Sequence, residues 1–326
     1  MGEIESTQIM ITIIVPHFNS FDKLMRLIKS IPADTESFVE VIVVDDKSDN
    51  VTSMQYDQIE RALAEINGIL LRNSSNCKGA GVCRNIALEN ARGKFLLFAD
   101  ADDFFIDGFT GYIKKYIKSD NDIIFFPPTS VYEGTNTQAI RHLHHEKLCK
   151  DYIKNGDSSS EIKLRYKWDS PWSKMIQTRI VKDNNIRFDE TIVANDVMFS
   201  MKTSYYAKTV AVAEDIIYCI TATKDTLTTK KSKEWLEVRV GVFIDRYNFL
   251  KTRLSPKEFS YLAFNGKYYL FKSIELGFGL SEAIKINSML RRGGVDPWNI
   301  KYIFRDVHEL VKHLRRTIMN RIFIEK

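Results

Sequence analysis

The stretch Phe95-Leu96-Leu97-Phe98-Ala99-Asp100-Ala101-Asp102-Asp103 constrains this chain more than any other. Its apolar half reads as a buried strand, and it closes abruptly on three carboxylates. An unpaired buried carboxylate costs several kcal/mol, so an acidic strand end calls for solvent or a cation. Side chains alternate along extended chain, which points Asp100 and Asp102 the same way. Two oxygen donors on one side suit a hard divalent ion that keeps some waters and shares a diphosphate. Standing alone, an Asp-x-Asp is better read as a solvated turn. This one has neighbours of the same kind.

Two other apolar runs end in the same fashion. Ile9 to Val15 closes on Pro16-His17-Phe18-Asn19, and Val39 to Val44 closes on Asp45-Asp46. Helical spacing fills the gaps: Leu24, Leu27, Ile28 and Ile31 after the first run, Met54, Ile59, Leu63 and Ile66 after the second. A short strand at Ile69 to Leu71 and a helix from Gly79 to Ala91 lead into the acidic run. Strands alternating with helices imply right-handed crossovers and a parallel sheet. Near-continuous apolar strands imply a sheet covered on both faces. Ligands of such sheets sit beyond the carboxyl ends of the strands, where all three polar tips fall.

Further on, a helix from about Tyr112 and a strand at Ile123 to Phe126 continue the pattern. His142 to Glu161 is polar and reads as loops or surface structure. Asp196 opens a helical pattern through Val197, Phe199, Met201 and Tyr205. After Asp225 the chain turns aromatic, basic and helical. The expected division is therefore a catalytic domain over 1–224 and a mainly helical region over 225–326.

Composition adds limits. With 44% hydrophobic and 27% charged residues, the chain of 326 residues holds a normal core. A net charge of +5 does not announce nucleic acid, and none is expected as a partner. Cys77, Cys83, Cys149 and Cys219 show no paired spacing and read as reduced thiols. The first residues lack the pattern of a signal peptide, and no run approaches the ~20 apolar residues of a membrane span. The expected location is cytoplasmic.

Each remaining motif has a plainer reading. Gly79-Ala80-Gly81-Val82-Cys83-Arg84 resembles a dinucleotide fingerprint, but arginine holds its sixth position, which argues against a dehydrogenase. Arg84 can offer a guanidinium fork to phosphate, or be a surface arginine. Asp46 can accept from a base or ribose, or sit in a turn capped by Ser48 or Asp49. His142, His144 and His145 with Glu146 match no standard zinc spacing and read as a solvated loop.

Taken in order, these segments resemble a family 2 glycosyltransferase of the GT-A fold, with a mostly parallel central sheet between helices. The matching pieces are Ile11 to Asn19, Val41 to Ser48, Arg84-Asn85, Ala91 to Lys94, Phe98 to Asp103, Trp172-Ser173-Lys174-Met175 and Asn195-Asp196-Val197-Met198-Phe199. The likeness covers roughly residues 9 to 220. It implies an inverting transferase that moves a sugar from a nucleoside diphosphate sugar, most often UDP-linked. The acceptor would be a saccharide or lipid-linked saccharide in surface polysaccharide synthesis.

The resemblance also implies site roles. Pro16 and Phe18, with Asn19, would line the base pocket, and Asp46 would contact the uracil or ribose. Arg84 would meet the diphosphate, while Asp100, with Ala101 beside it, would hold the ribose. Asp102 would bind Mn²⁺ or Mg²⁺ with Asp103 assisting, and Asp196 would be the general base. Two positions depart from the family pattern. Asn195 stands where an acidic residue is usual, removing a like charge that would raise the pKa of Asp196. Tyr218-Cys219-Ile220-Thr221 lacks the arginine of a Tyr-x-x-Arg segment, leaving Lys224, Lys230 or Lys231 as substitute charges.

Beyond the resemblance, Trp298, Ile300, Tyr302, Ile303 and Phe304 are interleaved with Lys301, Arg305, Lys312, Arg315, Arg316 and Arg321. Such a segment suits peripheral contact with the inner face of an anionic membrane, or a packed cap or homo-oligomer surface. Two other functions compete: an inactive sugar-nucleotide or glycan binder, and a sugar nucleotidyltransferase. The latter wants a glycine-rich loop where Pro16 to Asn19 stands.

Overall fold

The computed structural model describes residues 9–35, 37–223 and 232–298. The chain divides into two compact units, 1–230 and 231–326.

The strands of the first unit are β1 (Ile11–His17), β2 (Val39–Asp45), β3 (Gly68–Arg72), β4 (Phe95–Phe98), β5 (Phe104–Phe105), β6 (Ile123–Phe125), β7 (Thr129–Tyr132), β8 (Lys174–Gln177), β9 (Val210–Val212) and β10 (Tyr218–Ala222). Its helices are α1 (Phe21–Lys29), α2 (Ser53–Ala64), α3 (Ala80–Asn90), α4 (Phe109–Lys114), α5 (Leu143–Asn155), α6 (Ser158–Lys167), α7 (Thr178–Asp183) and α8 (Val197–Tyr206). Seven strands form the main sheet in the order β3-β2-β1-β4-β8-β6-β9, and β5-β10-β7 form a small second sheet. β3, β2, β1 and β4 run parallel, while β8 runs antiparallel to both neighbours. The mostly parallel sheet expected from the apolar runs is what forms.

Burial explains the pattern. All seven residues of β2 are buried, as are Leu24, Leu27 and Ile28 on the inner face of α1. The register then builds an edge. Pairing Ile11 with both Val39 and Phe95 sets His17 opposite Asp45 and brings the tips after β1, β2 and β4 level. Gly93 permits this close packing, because a Cβ there would lie 2.5 Å from the Thr12 nitrogen.

One reading needs correction. The polar stretch 142–161, expected as loops or surface structure, is helical: it forms α5 and the first turn of α6, with much of its outer face exposed. His145, Leu148 and Cys149 bury one face of α5, a spacing that shows only when the histidine is counted as apolar. His142 pairs with the Ser130 hydroxyl at 2.7 Å. His145 lies between Trp168 and Trp172, its ring nitrogens without hydrogen-bond partners, and burial pushes its pKa down to about 3.

The second unit contains α9 (Lys233–Lys251), α10 (Pro256–Leu262), α11 (Lys267–Glu275) and α12 (Gly279–Arg292). Leu236, Val240, Phe243, Leu270, Ile286, Leu290 and Val295 form its core. Ser255 and Glu258 close a capping box on α10, with Pro256 at its first turn. The aromatic and basic residues expected over 300–326 lie outside the described residues, as do Lys224, Lys230 and Lys231.

Candidate active site

A cleft of about 580 Å³ opens along the edge where the strand tips meet. It is lined by Pro16, Phe18, Asn19, Asp46, Arg84, Asp100, Ala101, Asp102 and Asp196. Those are the expected site residues with one exception, Asp103. His17, Ser20, Lys23, Ala80, Val193, Ala194 and Asn195 complete the wall.

The tips after β1 and β2 are stitched together. Asn19, in the left-handed region at φ 49°, donates to Asp49 and accepts from the Asp49 and Asn50 amides. Ser20 N–H donates to Nε2 of His17, so the ring proton sits on Nδ1 and is donated to Asp45 at 3.0 Å. Burial would raise the Asp45 pKa, but hydrogen bonds from His17 and Ser48 outweigh it and hold the carboxyl at about 2. Asp45 is thus structural. Its neighbour Asp46 faces the cleft and accepts from Asn73 and from the Gly79 amide, each at 2.7 Å. Phe18 is half exposed, with the Lys78 ammonium 5.3 Å from its ring centre.

Arg84 is nearly buried on α3. It donates to Asp100 at 2.6 Å and to Asn195 at 2.9 Å, over the face of Phe188. The guanidinium therefore ties the acidic loop after β4 to the loop before α8. Gly81 lets that second loop come close, since a Cβ there would meet the Asp189 carbonyl at 2.1 Å. Ala194, at φ 57°, turns the chain to deliver Asn195 and Asp196. Asp196 occupies the N-cap position of α8, yet its side chain makes no capping hydrogen bond. Burial raises its pKa to about 6, with Arg84 opposing and Asp169 and Asp100 adding to the rise. The carboxyl is elevated even though its neighbour is Asn195.

The acidic loop is clamped from the second sheet. Asp102 is half-buried, and burial and then Asp100 raise its pKa, while Lys23 and Arg141 pull it down. Asp103 turns away from the cleft. Tyr218 Oη donates to one of its oxygens at 2.8 Å and the Thr221 amide to the other at 2.7 Å. With one hydrogen bond accepted by each oxygen and no place in the cleft wall, Asp103 anchors the acidic loop, and this placement lends no support to its expected part as an assisting metal ligand. Tyr218 Oη also accepts from the Asp100 amide at 2.9 Å, and Arg26 donates to the Asp102 carbonyl and to Thr221. Sequence reasoning missed this clamp because its members lie about 75 to 120 positions from the residues they hold. Lys23 did carry a signal, as a basic residue in the first turn of the helix that follows a strand tip.

Tyr218→Phe strips one donor from buried Asp103 and one acceptor from the Asp100 amide. It is expected to cost about 1–3 kcal/mol in chemical denaturation. An unchanged midpoint would show that the loop is held by other contacts.

Among the described residues, no three His, Cys, Asp or Glu side chains are grouped to hold a metal ion. A divalent ion here would take Asp102 and Asp100 and complete its shell with water and ligand oxygens, the habit of Mg²⁺ at phosphate sites. Asp100 and Asp102 line the same cleft, and burial and the Asp100 charge raise the pKa of Asp102, so the donor chemistry present fits such an ion.

An open sheet, a second small sheet and an acidic cleft at the strand tips are the parts of a nucleotide-sugar-type transferase fold. The model of Glycosyl transferase family 2 matches residues 12–180, just over half of the chain. The chain belongs to that family. It is 23% identical over 257 residues to glycosyltransferase GlyA of Streptococcus pneumoniae, covering 76% of this chain and 36% of that protein. It is 26% identical over 219 residues to the poly(ribitol-phosphate) beta-N-acetylglucosaminyltransferase TarS of Staphylococcus aureus, covering 64% and 34%. To the UDP-Glc:alpha-D-GlcNAc-diphosphoundecaprenol beta-1,3-glucosyltransferase WfaP of Escherichia coli it is 27% identical over 157 residues, covering 48% and 54%. The chain thus spans about a third of the length of the first two. The crystal structure of S. aureus TarS 1-349 in complex with UDP-GlcNAc superposes with a TM-score of 0.65 at 23% identity, covering 87% of this chain and 80% of that one. This likeness establishes the shared GT-A fold.

Proposed function

We propose that this chain transfers a sugar, with inversion, from a UDP-sugar to a hydroxyl of a saccharide or lipid-linked saccharide in surface polysaccharide synthesis. One observation carries the reading: a single cleft gathers Asp46, Asp100 and Asp102 with Asp196, whose carboxyl is raised to about 6. Family membership supports the reaction class. The name of WfaP, which specifies UDP-Glc and a lipid-linked GlcNAc acceptor, and the TarS complex with UDP-GlcNAc support the substrate classes.

In this reading Asp196 takes the proton of the acceptor hydroxyl as its oxygen bonds to the anomeric carbon. The bond from that carbon to the diphosphate breaks, and UDP leaves with the electron pair. Phe18 stacks on the base and Asp46 accepts from it. Arg84, its fork engaged by the protein, holds Asp100 in place, and Lys23 meets diphosphate charge. Mn²⁺ or Mg²⁺ held by Asp102 and Asp100 would supply positive charge against the leaving diphosphate.

The test is UDP release by the full chain with a panel of UDP-sugars and saccharide or undecaprenyl-linked acceptors, with and without Mn²⁺. Acceptor-dependent release that needs the ion is expected, with product mass increased by one sugar. Tight UDP-sugar binding without turnover on any acceptor would favour a binder instead.

A further inference from the structure

Five large apolar side chains of the second unit, Tyr268, Phe271, Ile274, Leu280 and Ile284, are exposed within 17 residues of α11 and α12. The placement on α12 is specific. Glu282, Ile286 and Leu290 form its buried stripe. At about 100° per residue, Leu280, Ile284 and Arg291 fall on the opposite face. Leu280 and Ile284 are 72% and 69% exposed. A helix on the surface of a globular unit is ordinarily polar there, whereas α12 carries large apolar side chains outward as well as inward.

Charge narrows what covers this face. Residues 231–326 hold 19 Lys and Arg against 10 Asp and Glu, a balance of +9, whereas residues 1–230 hold 28 against 32, a balance of −4. Arg291 shares the outward stripe with Ile284, and exposed Arg292 lies beside it, while Lys285 pairs with Glu237. A second copy across a twofold axis would set these cations against themselves. A nucleic acid would leave the apolar side chains without use. A bilayer with anionic headgroups satisfies both parts, taking the apolar side chains into the interface and the cations to its phosphates.

We propose that the α11–α12 face docks on an anionic lipid surface, through Leu280 and Ile284 inserted between headgroups and Arg291 paired with lipid phosphate. The docking is independent of the transfer reaction. Among the described residues no helix is long and apolar enough to cross a membrane, so this contact is peripheral.

The experiment is co-sedimentation of the full chain with phosphatidylcholine vesicles, with and without phosphatidylglycerol, at low and high salt. Binding is expected only with the anionic lipid, and it weakens as salt rises. The double variant Leu280→Ser, Ile284→Ser is expected to lower partitioning by at least about tenfold, and Arg291→Glu to lower it too, with each protein remaining monomeric. Both substitutions fall on exposed positions, so folding is retained and is checked by circular dichroism. No binding to anionic vesicles, or equal binding by parent and both variants, would overturn the proposal. A parent dimer that the apolar substitutions dissociate would assign the face to a second copy and also overturn it.

Discussion

Asp196→Asn is expected to leave folding and UDP binding intact and to lower sugar transfer by about 10²–10⁴-fold, the usual weight of a positioned base. Asparagine keeps the shape and the acceptor oxygen but cannot take a proton. A helix-capping role would predict no loss, since Asn caps about as well as Asp. The structure removes that alternative's footing, because Asp196 sits at the N-cap of α8 without a capping bond. The pH profile supplies a second readout. A base works only when ionised, so parental kcat should rise with pH through about 6 and then level, following the raised pKa of the carboxyl. In Asp196→Asn that limb should vanish. Near-parental turnover in a purified, UDP-binding variant would take Asp196 out of the reaction.

What the sequence revealed and what it hid follow from the range of the forces involved. Apolar runs that end in polar tips mark strands and the ligand edge together, because burial and solvation are decided locally. That is why the sequence alone points to Pro16, Asp46, Asp100 and Asp102. Asp103 shows the opposite case. By residue type it matches Asp102, and only the return of β10, more than a hundred residues later, gives its oxygens Tyr218 and Thr221 as partners. Arg84 was legible as a cation at a helix start, but not that Asp100 and Asn195 would share its fork. Asn195 removes one like charge that could raise the pKa of Asp196. Burial and the more distant Asp169 and Asp100 raise it regardless. The misread α5 comes from hydropathy itself, which scores His145 as polar although two indoles bury it.

The same contrast between local and distant forces makes Asp102→Asn informative. At neutral pH the native state carries a half-buried carboxylate whose ionisation is disfavoured by burial and by Asp100. An acid with a raised folded pKa binds its proton more tightly in the native than in the unfolded state. Stability therefore falls as pH rises from the unfolded pKa through the folded one, and the ionised group is a net burden above it. A neutral amide of the same shape removes that burden, so the melting temperature of Asp102→Asn should equal or exceed the parent's at pH 7. If Asp102 and Asp100 are the protein's donors to a divalent ion, the same variant should lose Mn²⁺-supported UDP affinity by more than about 100-fold. Residues that merely orient a metal ligand already cost 10- to 100-fold when changed. Calorimetric titration of UDP with and without Mn²⁺, beside thermal melts, reads both effects on one protein. Retained stability with lost ion-dependent binding makes Asp102 a group kept for its ligand at the expense of the fold. Equal Mn²⁺-supported affinity in variant and parent would move the cation, and the charge it supplies to the leaving diphosphate, away from this carboxylate.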